Sequence, residues 1–136
     1  MKLALVMEPS HFRDWFLSWL AYLKFQVLSY HTDGMELRAT LSADALPDIV
    51  LLEAAKQETG ALETTAWLRK QYPSIKVVAL GMDATEALLQ SMLDSGAAGV
   101  IKKYLDPHQI EDIIWQVHTK GCYTPYPRQG TFYMNT

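Results

Sequence analysis

The chain has 136 residues, 49% hydrophobic and 20% charged, with a formal net charge of −3, which suits one globular domain with a proper core and excludes a disordered chain. That charge gives no electrostatic basis for nucleic-acid binding, and a single cysteine, Cys122, excludes an internal disulfide and a thiolate zinc cluster. The apolar run Met1–Met7 meets Glu8 and Pro9 too soon for a signal peptide, and no later run is long enough to span a membrane, so a reduced, cytoplasmic domain is expected.

Leu3–Met7 reads as a buried strand, followed by a helix with Ser10 as its N-cap. Phe12, Phe16, Trp19, Leu20 and Leu23 recur at helical spacing as its core stripe, which leaves Trp15, Leu17 and Tyr22 on other faces. Phe25–Tyr30 reads as a second strand, and after the Thr32-Asp33-Gly34 turn a second helix runs to about Ser42. Pro47–Glu53, read P-D-I-V-L-L-E, carries four consecutive apolar residues with no polar alternation, the signature of a central strand buried on both faces. Its carboxylate, Glu53, falls at the strand's carboxyl end, where ligands bind in open α/β sheets.

A polar loop, Ala54–Thr59, leads to a third helix from about Gly60 to Tyr72, closed by Pro73. Ile75–Leu80 is the fourth strand. Thr85–Ser95 spaces Leu88, Leu89, Met92 and Leu93 as a helix, with Gly96 as its C-terminal cap. Gly99–Lys102 is a short fifth strand, and Asp106-Pro107 opens a last helix whose core residues are Ile110, Ile113, Ile114 and Val117 and which ends at Gly121. Five strand–helix units in strict alternation imply an α/β domain with a parallel sheet covered on both faces. The domain spans residues 1–122, and 123–136, with two prolines and a glycine, reads as a linker or C-terminal tail.

Several stretches taken together resemble the receiver domain of bacterial two-component response regulators over about residues 2–125. They are V-M-E-P-S-H-F-R (Val6–Arg13), T-D-G (Thr32–Gly34), P-D-I-V-L-L-E (Pro47–Glu53), L-R-K-Q-Y-P (Leu68–Pro73), V-V-A-L-G-M (Val77–Met82) and S-G-A-A-G-V-I-K-K (Ser95–Lys103). The ending G-C-Y-T-P (Gly121–Pro125) is similar to the subgroup whose receiver precedes a helix-turn-helix output domain. The resemblance implies a flavodoxin-like, doubly wound (βα)5 fold with strand order 2-1-3-4-5. As partners it implies a histidine kinase or a downstream DNA-binding domain absent from this chain.

Receivers catalyse their own phosphorylation. A carboxylate attacks a phosphoryl donor while Mg²⁺ and a lysine offset the developing charge. The resemblance maps the acidic pair onto Met7-Glu8, the acceptor onto Glu53, the switch hydroxyl onto Gly81, the switch aromatic onto Val100 and the lysine onto Lys103. Only Lys103 is retained outright, Lys102 being the alternative if the register shifts by one. Methionine offers Mg²⁺ no oxygen. Glu53 is one methylene longer than aspartate, a displacement of order 1 Å that spoils in-line attack. In the following loop, Gln57 stands at the usual proline and Gly60-Ala61 at the usual Asp-Gly. The expectation is a degenerate receiver, not an enzyme, with no cofactor beyond weak Mg²⁺ at Glu8.

Glu53 has three readings: a mimic of phospho-aspartate, a residual acceptor or metal ligand with Glu8, and a structural carboxylate paired with Lys103, the last being the reading preferred. The four histidines, His11, His31, His108 and His118, share no face with a carboxylate at metal spacing. Trp15, Tyr22 and Trp115 fall outside their helices' core stripes and are expected to form one apolar patch on helices 1 and 5, marking a homodimer or docking face. The expected function is phosphorylation-independent signalling through protein contacts. The alternatives are a working phosphoacceptor, or the regulatory N-terminal part of a helix-turn-helix transcription regulator.

Overall fold

A computed structural model describes residues 1–54, 60–81, 84–101 and 107–122. The elements alternate without exception: β1 (Lys2–Val6), α1 (His11–Tyr22), β2 (Gln26–His31), α2 (Gly34–Thr40), β3 (Ile49–Glu53), α3 (Gly60–Gln71), β4 (Lys76–Leu80), α4 (Glu86–Asp94), β5 (Gly99–Ile101) and α5 (Pro107–Lys120). The five strands form one sheet in the order β2-β1-β3-β4-β5, and every pairing is parallel. Parallel strands need crossover helices, and the helices bury both faces.

The two faces are separate apolar clusters, and strand alternation assigns residues to each. Leu3, Leu5, Ile49, Leu51, Val78 and Leu80 face the side closed by Phe16 and Leu20 of α1 and by Ile110, Ile114 and Val117 of α5. Ala4, Val6, Val50, Leu52, Val77 and Ala79 face the side closed by Leu37 of α2, Leu68 of α3, and Leu89 and Met92 of α4. At about 25 cal/mol per Å² of apolar surface, these faces are the dominant favourable contribution to folding.

Local chemistry starts and stops the helices as the sequence implies. The Ser10 hydroxyl caps α1 by accepting from the Arg13 N–H at 3.0 Å, and Asp33 caps α2 by accepting from the Glu36 N–H at 2.9 Å. Gly96 follows α4 with φ of +117°, a conformation that favours glycine. Asp106, Lys102 and the tail from Tyr123 lie outside the described residues, so their expected roles as cap, strand end and linker do too.

Three local expectations are corrected. The second helix stops at Thr40 and not near Ser42, because Leu41 is already extended (ψ 136°). The second strand runs Gln26–His31, since the Phe25 amide still bonds to the Leu20 carbonyl at the helix exit (3.1 Å). In α1 only Phe16 and Leu20 are fully buried, whereas Phe12, Trp19 and Leu23 pack against the cluster from its flank, as does Leu17. A twelve-residue helix on a twisted sheet presents one or two positions squarely to the core, and bulky neighbours lie along the edges.

Candidate functional site

The carboxyl ends of β1, β3, β4 and β5 converge on one end of the sheet and carry Met7-Glu8, Glu53, Gly81 and Val100. The strand register brings them together. Leu80 lies opposite Glu53, and hydrogen bonds from the Ala54 amide to the Leu80 carbonyl (2.9 Å) and from the Gly81 amide to the Ile101 carbonyl (2.8 Å) close the rim. By contrast, an open cavity of about 480 Å³ lies at the amino end, lined by Arg69, Lys76, Gly96 and Cys122 among others, and holds none of these residues.

Met7, Gly81 and Val100 are buried at the rim, whereas Glu8 and Glu53 reach solvent. Met7 is 2% exposed and belongs to the apolar cluster of α1 and α5. Its amide bonds to the His31 carbonyl at 2.9 Å, so its backbone is fixed as well. Glu8 is exposed. The half-buried Glu53 turns a carboxylate oxygen, Oε1, towards the β1–α1 loop, where it accepts from the Glu8 N–H at 3.1 Å. Val100 is fully buried on the opposite face, in the cluster with Ala79, Leu89 and Met92. Lys103, the expected partner of Glu53, lies outside the described residues, as do Lys102 and Gln57. Among the described residues no three His, Cys, Asp or Glu side chains gather at metal-binding spacing.

Sequence reasoning missed two residues here. Arg13 lies over the Tyr30 ring at 5.1 Å from its centroid and donates through Nη1 to the Met7 carbonyl at 3.4 Å, clamping the loop that carries Glu8. Leu89, read from spacing as an ordinary core residue, sits directly over Gly81: a Cβ built there would meet its Cδ2 at 2.3 Å. Neither contact has a sequence signal, since each joins residues on elements that only the fold brings together.

Three aromatic side chains lie outside the core stripes of their helices, as their spacing implies. Trp15, Tyr22 and Trp115 are 46%, 79% and 43% exposed. Trp15 stacks on Trp19 (6.2 Å between centroids) and meets Phe12 at a tilt (5.7 Å), so α1 carries an aromatic ladder along its outer edge. Trp115 packs against Phe25 at 5.8 Å. Both helices close the same apolar cluster, which puts them on one side of the sheet.

At the end of β2, His31 is buried. Its Nε2 lies 2.9 Å from the Ser29 hydroxyl, and its Nδ1 lies 3.9 Å from Glu36. Burial lowers its pKa below the ordinary 6.5, while Glu36 and Asp33 oppose the shift. The unfolded chain therefore binds this proton more readily than the folded one. The stability contributed by neutral His31 is complete above about pH 6.5 and is lost as pH falls towards its lowered folded value. Urea unfolding at a series of pH values should show this slope, and His31→Gln should remove it.

A doubly wound parallel sheet with its switch-type positions at the carboxyl rim defines the class as a receiver-like α/β domain. The chain belongs to the response regulator receiver domain family, whose model matches residues 5–115, and so to the receivers of two-component signalling. It is 27% identical over 100 residues to the transcriptional regulatory protein DegU of Brevibacillus brevis, covering 74% of this chain and 42% of that protein. To the transcriptional regulatory protein LnrK of Bacillus subtilis (strain 168) it is 30% identical over 79 residues, covering 58% and 36%. The chain thus spans less than half the length of these curated relatives. Among solved structures, the isolated receiver domain of RcsB from Salmonella enterica serovar Typhimurium, in the presence of the phosphomimetic BeF3−, superposes with a TM-score of 0.75 at 16% identity, covering 92% of this chain and 93% of that one. No helix of the described residues is long and apolar enough to cross a membrane.

Proposed function

We propose that the chain is a receiver domain that signals without being phosphorylated, acting through protein contacts in the cytoplasm. The observation that carries this reading is Met7. Where the family's chemistry needs a metal-binding carboxylate, a thioether is packed into the core at 2% exposure, and that side chain offers no oxygen. The remaining donors, the exposed Glu8 and a Glu53 already accepting from a loop amide, do not fit the octahedral shell of Mg²⁺. Glu53 acts as a structural carboxylate that ties the β1–α1 loop to the sheet. That geometry argues against a phospho-aspartate mimic, because one oxygen is committed to the Glu8 amide.

The contact surface in this reading is the aromatic face of α1 and α5, with Trp15, Tyr22 and Trp115 as anchors and a second copy of the chain as the occupant. Large aromatic side chains left exposed on two neighbouring helices are what dimer interfaces bury. The curated relatives are named as transcriptional regulators and are more than twice the matched length, which supports residues 1–122 as the regulatory unit and 123–136 as a linker towards a DNA-binding domain. A histidine kinase has no acceptor to serve in this scheme.

Sedimentation tests both halves. The unmodified chain should sediment as a dimer, identically with and without Mg²⁺ and acetyl phosphate, and Trp115→Ala should shift it towards monomer with its circular dichroism unchanged. A dimer that forms only with the phosphoryl donor would overturn phosphorylation independence. An unchanged oligomeric state in Trp115→Ala would remove the interface.

A further inference from the structure

We propose that Leu89 is a built-in plug, seated in the space left by the missing side chain of Gly81, and that this contact holds α4 in one position. The inference deepens the phosphorylation-independent reading, and rests on it, by naming what stands in place of a switch at the end of β4. Glycine is usually demanded by a positive φ, but among the described residues the glycines with positive φ are Gly96 and Gly121, not Gly81. Position 81 therefore needs glycine for room, and Leu89 uses that room. A Cβ there would lie 2.3 Å from Cδ2, 2.9 Å from Cδ1 and 3.0 Å from Cγ of Leu89, so the whole isobutyl group fills the space and not one methyl tip.

Socket and plug are both held by the backbone. The Gly81 amide donates to the Ile101 carbonyl (2.8 Å) and the Gly81 carbonyl accepts from the Ala84 amide (3.2 Å). Leu89 lies at the start of α4, where its amide donates to the Thr85 carbonyl (3.1 Å) and the Thr85 hydroxyl caps the helix by accepting from the Leu88 amide (3.1 Å). Leu89 is 1% exposed and shares its cluster with Val100, Met92 and Ala79, so it has no second apolar site to move to without opening the core. The consequence is functional. The α4 surface is set by an internal apolar contact and is presented constitutively, whatever the state of the sheet's carboxyl rim.

Amide hydrogen exchange over α4 tests this in the unmodified chain, in Gly81→Ala, in Leu89→Ala and in the double variant. Gly81→Ala should speed exchange of the α4 amides by at least about tenfold while β1 and β3 stay protected. The same change made in the Leu89→Ala background should speed it far less, because the space is then free. Equal effects of Gly81→Ala in the two backgrounds, or no effect in either, would overturn the plug. If Leu89→Ala does not fold, Leu89→Val carries the same comparison. Intact mass after Mg²⁺ and acetyl phosphate, read on the same samples, keeps the two claims apart. Phosphoryl uptake would defeat the parent reading, whereas additive exchange effects without uptake would defeat only the plug.

Discussion

Met7→Asp, which restores the residue type that receiver chemistry calls for, is expected to destabilise the fold by about 3–5 kcal/mol, the range for a buried charge without a partner. Met7 is 2% exposed and its neighbours in the cluster include Phe16, Ile101 and Ile110, none of which can solvate a carboxylate. The introduced aspartate has three courses: ionise at that cost, stay protonated, or drag the end of β1 outward and break the bond from the Met7 amide to the His31 carbonyl (2.9 Å). Met7→Leu conserves volume and should cost less than about 1.5 kcal/mol. Denaturant unfolding of the pair decides the matter. A loss below about 1 kcal/mol in Met7→Asp would mean that the position is open to water and still suited to a carboxylate.

Phe16→Ala should cost a similar amount, about 3–5 kcal/mol, for a different reason. The ring is fully buried and nearly parallel to its neighbours, 5.7 Å from Phe12 and 6.0 Å from Trp19 between centroids. Truncation leaves a cavity under α1 and removes the support on which the outer ladder of Phe12, Trp15 and Trp19 rests. The unfolding transition should move to lower denaturant, and the tryptophan emission of the folded state should shift, because Trp15 lies 6.3 Å from Phe16. A large stability loss with unchanged emission would show that the outer ladder stands without Phe16. A loss under about 1.5 kcal/mol would mean that the site collapses around the hole.

Much of this was legible in the sequence because of how parallel sheets bury their strands. Runs such as Ile49–Leu52 are apolar on both faces and cannot be mistaken for half-exposed strands, and caps such as Ser10 and the glycine at Gly96 act locally, so both survive into the fold. The alternation of strand and helix then leaves few topologies. Legibility fell where a residue's role depends on a distant partner. Phe12 and Trp19 have the spacing of core residues, yet they are only partly buried and pack against the cluster from its flank. Gly81 showed a missing hydroxyl, but not that Leu89 occupies the space, since eight positions of chain separate them and only the packing of α4 on β4 joins them. Lys103, to which Glu53 was assigned, lies outside the described residues, and the bond that Glu53 accepts from the Glu8 amide comes from a backbone donor that no side-chain pattern reveals.

The central claim is that the rim of the sheet has become packing and no longer accepts a phosphoryl group. Intact mass spectrometry after incubation with Mg²⁺ and acetyl phosphate tests it most directly, with Glu53→Asp alongside. The account predicts no phosphoryl gain in either sample, because restoring the acceptor leaves Met7 in the core and Leu89 over Gly81. Uptake confined to Glu53→Asp would show that Glu53 alone blocks a pocket that otherwise works. A phosphoryl group on the unmodified chain would contradict the account outright and make this a working phosphoacceptor.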